Sequence, residues 1–306
     1  MAAPASPDER RKLIWARVYR DLIQSAIADS RSNLDLLSFT PDFRGSAAAI
    51  NRVVALACYQ NARTLLITSD NSLERLRWQA LKDGKKVLVG TYRLRRGFVL
   101  LDPARIDEKR LELAACLDGM EKPGMGRSMS IAQLRDEGLT VDMCATGGLV
   151  FNEHGVVVYE GHALFEVQWA LLQDIGVLGP SARVVAVAHA SQVVDEVSLG
   201  FDAITADSER EVQCDYVVTP ERVFEVDAPA RPAGGIDFGA VDPDALNNIA
   251  PLQELKGIRA MEQIMAAGGF GQDAQAAKTP AAAVTAEEQM GIDMVARLMA
   301  GYKADG

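Results

Sequence analysis

The sequence predicts an α/β fold: a doubly wound, mostly parallel sheet with a helical C-terminal appendage. Three observations predict it. Short apolar runs of strand length alternate with longer stretches whose apolar residues recur at helical spacing. The runs RTLLITS, KKVLVG and RVVAVAH are apolar throughout, as strands covered by helices on both faces are. Beyond Asp227 such runs cease and the composition shifts to Ala, Pro and Gly.

In chain order, Asp8 to Ala28 reads as a helix, with Ser6 as N-cap, Pro7 at the first position and an apolar stripe of Leu13, Ile14, Val18, Leu22 and Ile23. Ser46–Tyr59 is a second helix, apolar on most faces. Arg63–Ser69 is a strand and Ser72–Asp83 an amphipathic helix ended by Gly84. Lys85–Gly90 and Gly97–Asp102 are strands, Arg105–Cys116 and Ser130–Arg135 helices, and Gly119–Ser128 a turn-rich loop. Val141–Gly148 opens a new run of strands, followed by a hairpin over Gly148–Tyr159 that turns at Asn152–Gly155. Leu164–Asp174 is a helix, and Arg183–His189 and Asp215–Pro220 are buried strands. Residues 1–227 form the α/β domain. Residues 228–306 form a linker and a helical C-terminal extension, with a helix over Pro243–Met265 broken at Pro251 and a final helix opened by the capping box Thr285-Ala286-Glu287-Glu288.

The bulk numbers narrow the function. The chain has 306 residues and a formal net charge of -10, a balance unlike that of a protein that wraps nucleic acid. No window supplies the roughly 18 consecutive apolar residues of a membrane span, and the first residues do not read as a signal peptide. Cys58, Cys116, Cys144 and Cys214 form no C-x-x-C pair and read as free thiols in a reducing cytoplasm. No H-E-x-x-H, Walker A loop, G-x-G-x-x-G or G-x-S-x-G is present, so no metal ligands are assigned.

In a doubly wound sheet, ligands bind at the carboxyl ends of the strands. Four segments fall at such ends. TYRLRRG gathers Arg93, Arg95 and Arg96 into one turn, either a clamp for an anion or a solvated turn. TSDNSLERLR opens a helix whose free amides suit an anion, or which Asp70 or Ser72 simply caps. YEGHALFEVQW sets Glu166 in a first helical turn, as a functional carboxylate or as a favourable dipole partner. AHASQVVDE sets His189, Gln192, Asp195 and Glu196 past a buried strand, a pocket wall or a structural cluster.

Taken in order, these segments resemble the 5-formyltetrahydrofolate cyclo-ligase family, in particular its longer, atypical prokaryotic members. The phrases that carry the resemblance are FTPDFRGSAAAINRV, SDNSLERLRWQAL, GKKVLVGTYRLRRGFVLLDP, DMCATGGLVFNEHGVVVYEG, FEVQWALL, HASQVVDE and DYVVTPERV. It runs from about Lys12 to about Val226. It implies a fold like that of NagB, RpiA and the CoA transferases. It also implies an ATP- and Mg2+-dependent closure of 5-formyltetrahydrofolate to 5,10-methenyltetrahydrofolate. Residues so implicated are Phe43, Arg44, Tyr92, Arg93, Arg95, Trp169 and Gln192 for substrate, with Lys12, Arg75, Arg77 and Gly161 for nucleotide phosphate.

The chain also departs from the family's pattern. Where the family carries a glycine-rich G-R-G-x-G-Y-Y-D loop, this chain reads Y-E-G-H-A-L-F-E from Tyr159 to Glu166, keeping only Gly161. Glu160 replaces the phosphate-binding arginine and reverses the local charge. Glu211-Val212-Gln213 replaces a D-V-P turn, and Ala47 and Ala48 replace an acidic pair. The expectation is a folate enzyme acting on a formyl- or methenyl-tetrahydrofolate by ring closure or opening, with altered or lost ATP use and with His162 or Glu166 as general acid or base. Two alternatives stand beside it: an ordinary ATP-dependent cyclo-ligase, and a non-catalytic folate- or partner-binding protein. The Met290, Met294 and Met299 face of the last helix is expected to pack on its own domain or on the mate of a homodimer.

Overall fold

The structure is a computed structural model that describes residues 6–28, 36, 40–160 and 164–266. Helix α1 (Pro7–Ser25) begins with a complete capping box: Ser6 accepts the Glu9 amide, and the Glu9 side chain accepts the Ser6 amide. The second helical stretch divides into α2 (Ser46–Ala55) and α3 (Ala57–Asn61), because Leu56 leaves the helix at φ -68°, ψ 140°. Strand β1 (Thr64–Ile67) leads through a single 3-10 turn into α4 (Glu74–Lys82). Next come β2 (Lys86–Gly90), β3 (Phe98–Leu101), α5 (Leu111–Ala115), β4 (Arg127–Met129) and α6 (Ile131–Asp136). The second half holds β5 (Val141–Thr146), β6 (Val150–Asn152), β7 (Val157–Tyr159), α7 (Phe165–Asp174), β8 (Leu178–Val187) and β9 (Val193–Val194). The last elements are β10 (Tyr216–Val218), β11 (Val223–Glu225), α8 (Pro243–Asn248) and α9 (Ala250–Ala266).

The main sheet has eight strands in the order β11-β10-β8-β5-β1-β2-β3-β4. The run β10-β8-β5-β1-β2 is parallel, and β11, β3 and β4 add antiparallel edges. Strand side chains alternate between faces. Leu65, Ile67, Val87, Val89, Val185 and Val187 join the cluster that includes α2, α4 and α5. Leu66, Leu88, Val184 and Ala186 join the opposite cluster with α6 and α7. This two-sided burial is what continuous apolar runs encode. The hairpin β6–β7 lies outside the main sheet: with β9 it forms a three-stranded sheet, over which Ile14, Trp15, Val18 and Leu22 of α1 pack.

Beyond the break at Leu56, the sequence reading changes in three places, the first being Arg105–Cys116, of which only Leu111–Ala115 is α-helical. Arg127–Met129 pairs with β3 as an edge strand where only a loop and a helix start were expected. The composition break at residue 227 marks the end of the sheet, but the compact unit continues to Ile258. Residues 228–258 add no strand. Ile236, Ile249, Leu252 and Leu255 are buried in the α7-side cluster. Glu254 accepts the Ile131 and Ala132 amides at 2.9 and 3.1 Å, capping α6. The second unit is Arg259–Gly306, of which residues 259–266 are described. The capping box at Thr285 and the methionine face lie outside the described residues.

Among the described residues no helix is long and apolar enough to cross a membrane. All four cysteines are free, Cys144 and Cys214 buried, Cys58 and Cys116 partly so.

Candidate functional site

The topology locates a crevice. From β1 the chain proceeds through α4 to β2 on one side, and from β5 it proceeds through α7 to β8 on the other. Adjacent strands whose onward connections diverge leave an opening at their carboxyl ends. At this opening Asp70 lies just past β1 and Gly147 just past β5. Asp70 is buried, and its Oδ2 accepts the Gly147 amide at 3.1 Å and the Thr68 hydroxyl. A Cβ on Gly147 would come 2.8 Å from the Asp70 carboxyl carbon, so the close approach requires glycine. The sequence suggests Asp70 only as a helix cap. A polar residue just past a buried strand is the available signal for its placement.

The first turn of α7 adds two more carboxyls. The Phe165 amide donates to the Glu160 side chain, which thus occupies one of the free amides at the helix start. Burial, then the nearby Glu166 and to a lesser extent Asp70, push the Glu160 carboxyl up to about 8, against the lowering effect of the Phe165 amide. Glu166 is pushed up to about 7, first by burial and then by Glu211, while the Val212 amide and Arg11 act the other way. Arg11 also pairs with Glu211 at 2.6 Å and donates to the Val157 carbonyl at 3.0 Å. Two departures from the family pattern, Glu166 and the Glu211-Val212 turn, therefore meet in space. Among the described residues, no group of three His, Cys, Asp or Glu side chains is placed to hold a metal ion.

The other expected site residues are dispersed. His162 and Gly161 lie outside the described residues. Phe43 is buried, edge-on to the His189 ring at 5.8 Å. Arg44 and Lys12 are exposed. The turn holding Tyr92 and Arg93 takes a left-handed backbone at Arg93, φ 53°. Its Arg96 is bound to Glu121, and Arg95 is exposed, so the three arginines form no common clamp. Gln192 donates to the Gly148 carbonyl at 2.7 Å and accepts the His189 amide at 2.7 Å, a bracing role. Trp169 is buried in the core, with the Arg231 guanidinium 5.4 Å from its ring centre.

Arg77 corrects the phosphate reading most plainly. It is fully buried and donates to the carbonyls of Ala115 at 2.8 Å, Thr68 at 2.6 Å and Asp70 at 3.1 Å. Its charge anchors the β1–α4 connection rather than facing a ligand. Arg75, by contrast, lines a cavity of about 420 Å³ beside the start of α4, together with Trp78, which no sequence motif singles out.

No family model matches the chain. It is 26% identical over 248 residues to a methenyltetrahydrofolate synthase domain-containing protein of Mus musculus, covering 78% of this chain and 63% of that protein. The proteins of the same name from Danio rerio and Homo sapiens are each 25% identical, over 71% and 73% of this chain and 54% and 55% of theirs. The chain thus spans 54 to 63% of the length of these curated relatives. Two solved 5,10-methenyltetrahydrofolate synthetases also align. That of Aquifex aeolicus is 15% identical with a TM-score of 0.40, covering 71% of this chain and 92% of that one. That of Mycoplasma pneumoniae is 10% identical with a TM-score of 0.36, covering 70% and 98%. The chain is a relative of methenyltetrahydrofolate synthase domain-containing proteins, and the resemblance to the 5-formyltetrahydrofolate cyclo-ligase family read from its motifs is borne out.

Proposed function

We propose that this chain acts on formyl- or methenyl-tetrahydrofolate, opening or closing the ring that carries the one-carbon unit, with ATP use altered or lost. The named relatives support the folate part of the reading. The observation that carries the rest is the Glu160 carboxyl on the Phe165 amide at the start of α7. A helix start that would favour phosphate oxygens is already bound to an internal acid. Glu166 and Asp70 add negative charge around it. Lys12 is exposed on α1 and Arg77 is spent on carbonyls. This donor set does not fit a triphosphate at α7.

Ring opening needs no activated phosphate, because the methenyl carbon is already part of a cationic amidinium. Water adds to that carbon while the Glu166 carboxylate takes its proton. The carboxylic acid then returns the proton to the departing ring nitrogen as the carbon–nitrogen bond breaks, and the hydroxyl on the same carbon loses its proton to solvent as the C=O forms, leaving a formyl group and releasing one proton overall. A carboxyl near 7 can serve in both directions. The test is spectroscopic: 5-formyl-, 10-formyl- and 5,10-methenyl-tetrahydrofolate are each mixed with the purified full chain, with and without MgATP. Conversion at equal rates with and without nucleotide is expected. No change in any folate spectrum would sink the reading. Methenyl-folate formation only in the presence of MgATP would establish the second reading, an ordinary cyclo-ligase, which the names of the relatives favour.

A further inference from the structure

The turn that precedes β10 is fastened at both ends of one side chain. The Asp207 carbonyl accepts the Arg210 and Glu211 amides at 3.1 and 2.7 Å, and the Asp207 amide donates to Glu211 Oε2 at 3.0 Å. Glu211 Oε1 meets the Arg11 guanidinium of α1 at 2.6 Å. Both carboxylate oxygens are thus engaged, and the side chain is 22% exposed, so it does not swing freely into solvent. Arg11 joins three elements. It stands on α1, pairs with the turn, and donates to the Val157 carbonyl of β7 at 3.0 Å. Val212, the next residue of the turn, is buried in the cluster that includes Phe165 and Trp169 of α7. The pair is therefore held beside the first turn of α7, where Glu166 sits.

A partly exposed ion pair contributes little to stability, but a charge fixed beside a carboxyl acts directly on its proton. Glu166 is faced by Glu160 from the end of β7, Glu211 from the turn, Arg11 from α1 and the Cys214 thiol before β10. Burial raises the Glu166 carboxyl most. Glu211 raises it further, while the Val212 amide and Arg11 lower it. Two opposite charges bound to each other thus act on Glu166 with opposite signs.

We propose that Arg11 and Glu211 are positioning residues for the reaction at Glu166. Glu211 presents a fixed negative charge that keeps the proton on Glu166, Arg11 offsets that charge, and their balance sets the pH at which Glu166 becomes a base. The inference rests on the folate reading, in which Glu166 moves the proton.

The test follows Glu166 in two ways, in the full chain carrying Glu211→Gln or Arg11→Gln. Carbon-13 NMR of labelled glutamate side chains reads its titration midpoint directly, the signal being assigned by its loss in Glu166→Gln. The pH profile of methenyl-tetrahydrofolate opening reads the same midpoint through the rate. Glu211→Gln should move both midpoints down by about half a unit or more, and Arg11→Gln should move both up by as much. Half a unit is about threefold in rate below the midpoint. Arg11→Lys, which keeps the charge, should restore the wild-type midpoint. A merely structural tie predicts a slower reaction at every pH with both midpoints unmoved, and that result overturns the proposal. Shifts of the same sign in the two Gln variants also overturn it. If the NMR midpoints move as stated while no folate is converted, the folate reading fails and the tuning of Glu166 stands.

Discussion

At the scale of residues, two carboxyls and one arginine have measurable consequences. Glu166→Gln removes the acid–base group, and a loss of about 10²–10⁴ in the rate of folate interconversion is expected in stopped-flow absorbance. In the wild type, ring opening should accelerate as pH rises through about 7, because its base is the ionised form. Glu160 gives a stability prediction of definite sign. Its carboxyl is raised to about 8 in the folded chain from its ordinary 4.5, so the unfolded chain releases this proton first. Stability is therefore lost as pH climbs from near 5 towards 8. Glu160→Gln, which keeps an acceptor for the Phe165 amide, should equal the wild type near pH 5 and exceed it by about 2 kcal/mol near pH 8 in urea denaturation. Arg77→Met leaves the carbonyls of Thr68, Asp70 and Ala115 without their donor and should cost about 3 kcal/mol in the same assay. Of these roles, the sequence announced only Glu166 as a reacting group. Arg77 looked like its neighbour Arg75, since helical spacing alone does not say which of two arginines turns inward.

Among elements, the strands were the most legible and the breaks between helices the least. RTLLITS and RVVAVAH both became central parallel strands, because residues apolar on both sides leave a strand no solvated face. Leu56 splits α2 from α3 although every neighbour is compatible with a helix, so local propensity gave no sign of the break. The edge strand Arg127–Met129 is three residues long and held by β3, a partner remote from any local pattern. Helix α1 was legible in its cap and stripe, but what it covers was not. The Trp15 ring stacks on Tyr159 with centres 5.5 Å apart and planes 4° from parallel, tying α1 to the hairpin that ends in Glu160. Trp15→Ala should therefore lower stability by about 3–5 kcal/mol. The hydrogen exchange of β7 should rise with that of α1, and unchanged protection in β7 would refute the coupling.

For the molecule as a whole, the boundary at residue 227 separates the sheet from the C-terminal helices, while the compact unit ends at Ile258. Truncation after Ile258 should leave a cooperative thermal transition. Truncation after Asp227 strips Ile236, Ile249, Leu252 and Leu255 from the α7-side cluster, and Arg231 from the buried Asp215. That shorter chain should lose its sharp transition and bind hydrophobic dyes. The composition shift suggested a linker because Pro, Gly and Ala were numerous. The few large apolar residues among them decide where the fold ends.

The acids on α6 and α7 have a practical corollary. Glu254 covers the first amides of one helix and Glu160 an amide at the start of the other. Each helix carries an acceptor for its first amides as part of its own chain. Phosphate or sulfate in a buffer should then protect this protein against heat no better than chloride of equal ionic strength, and an immobilised-nucleotide column should gain no hold on it at these two positions.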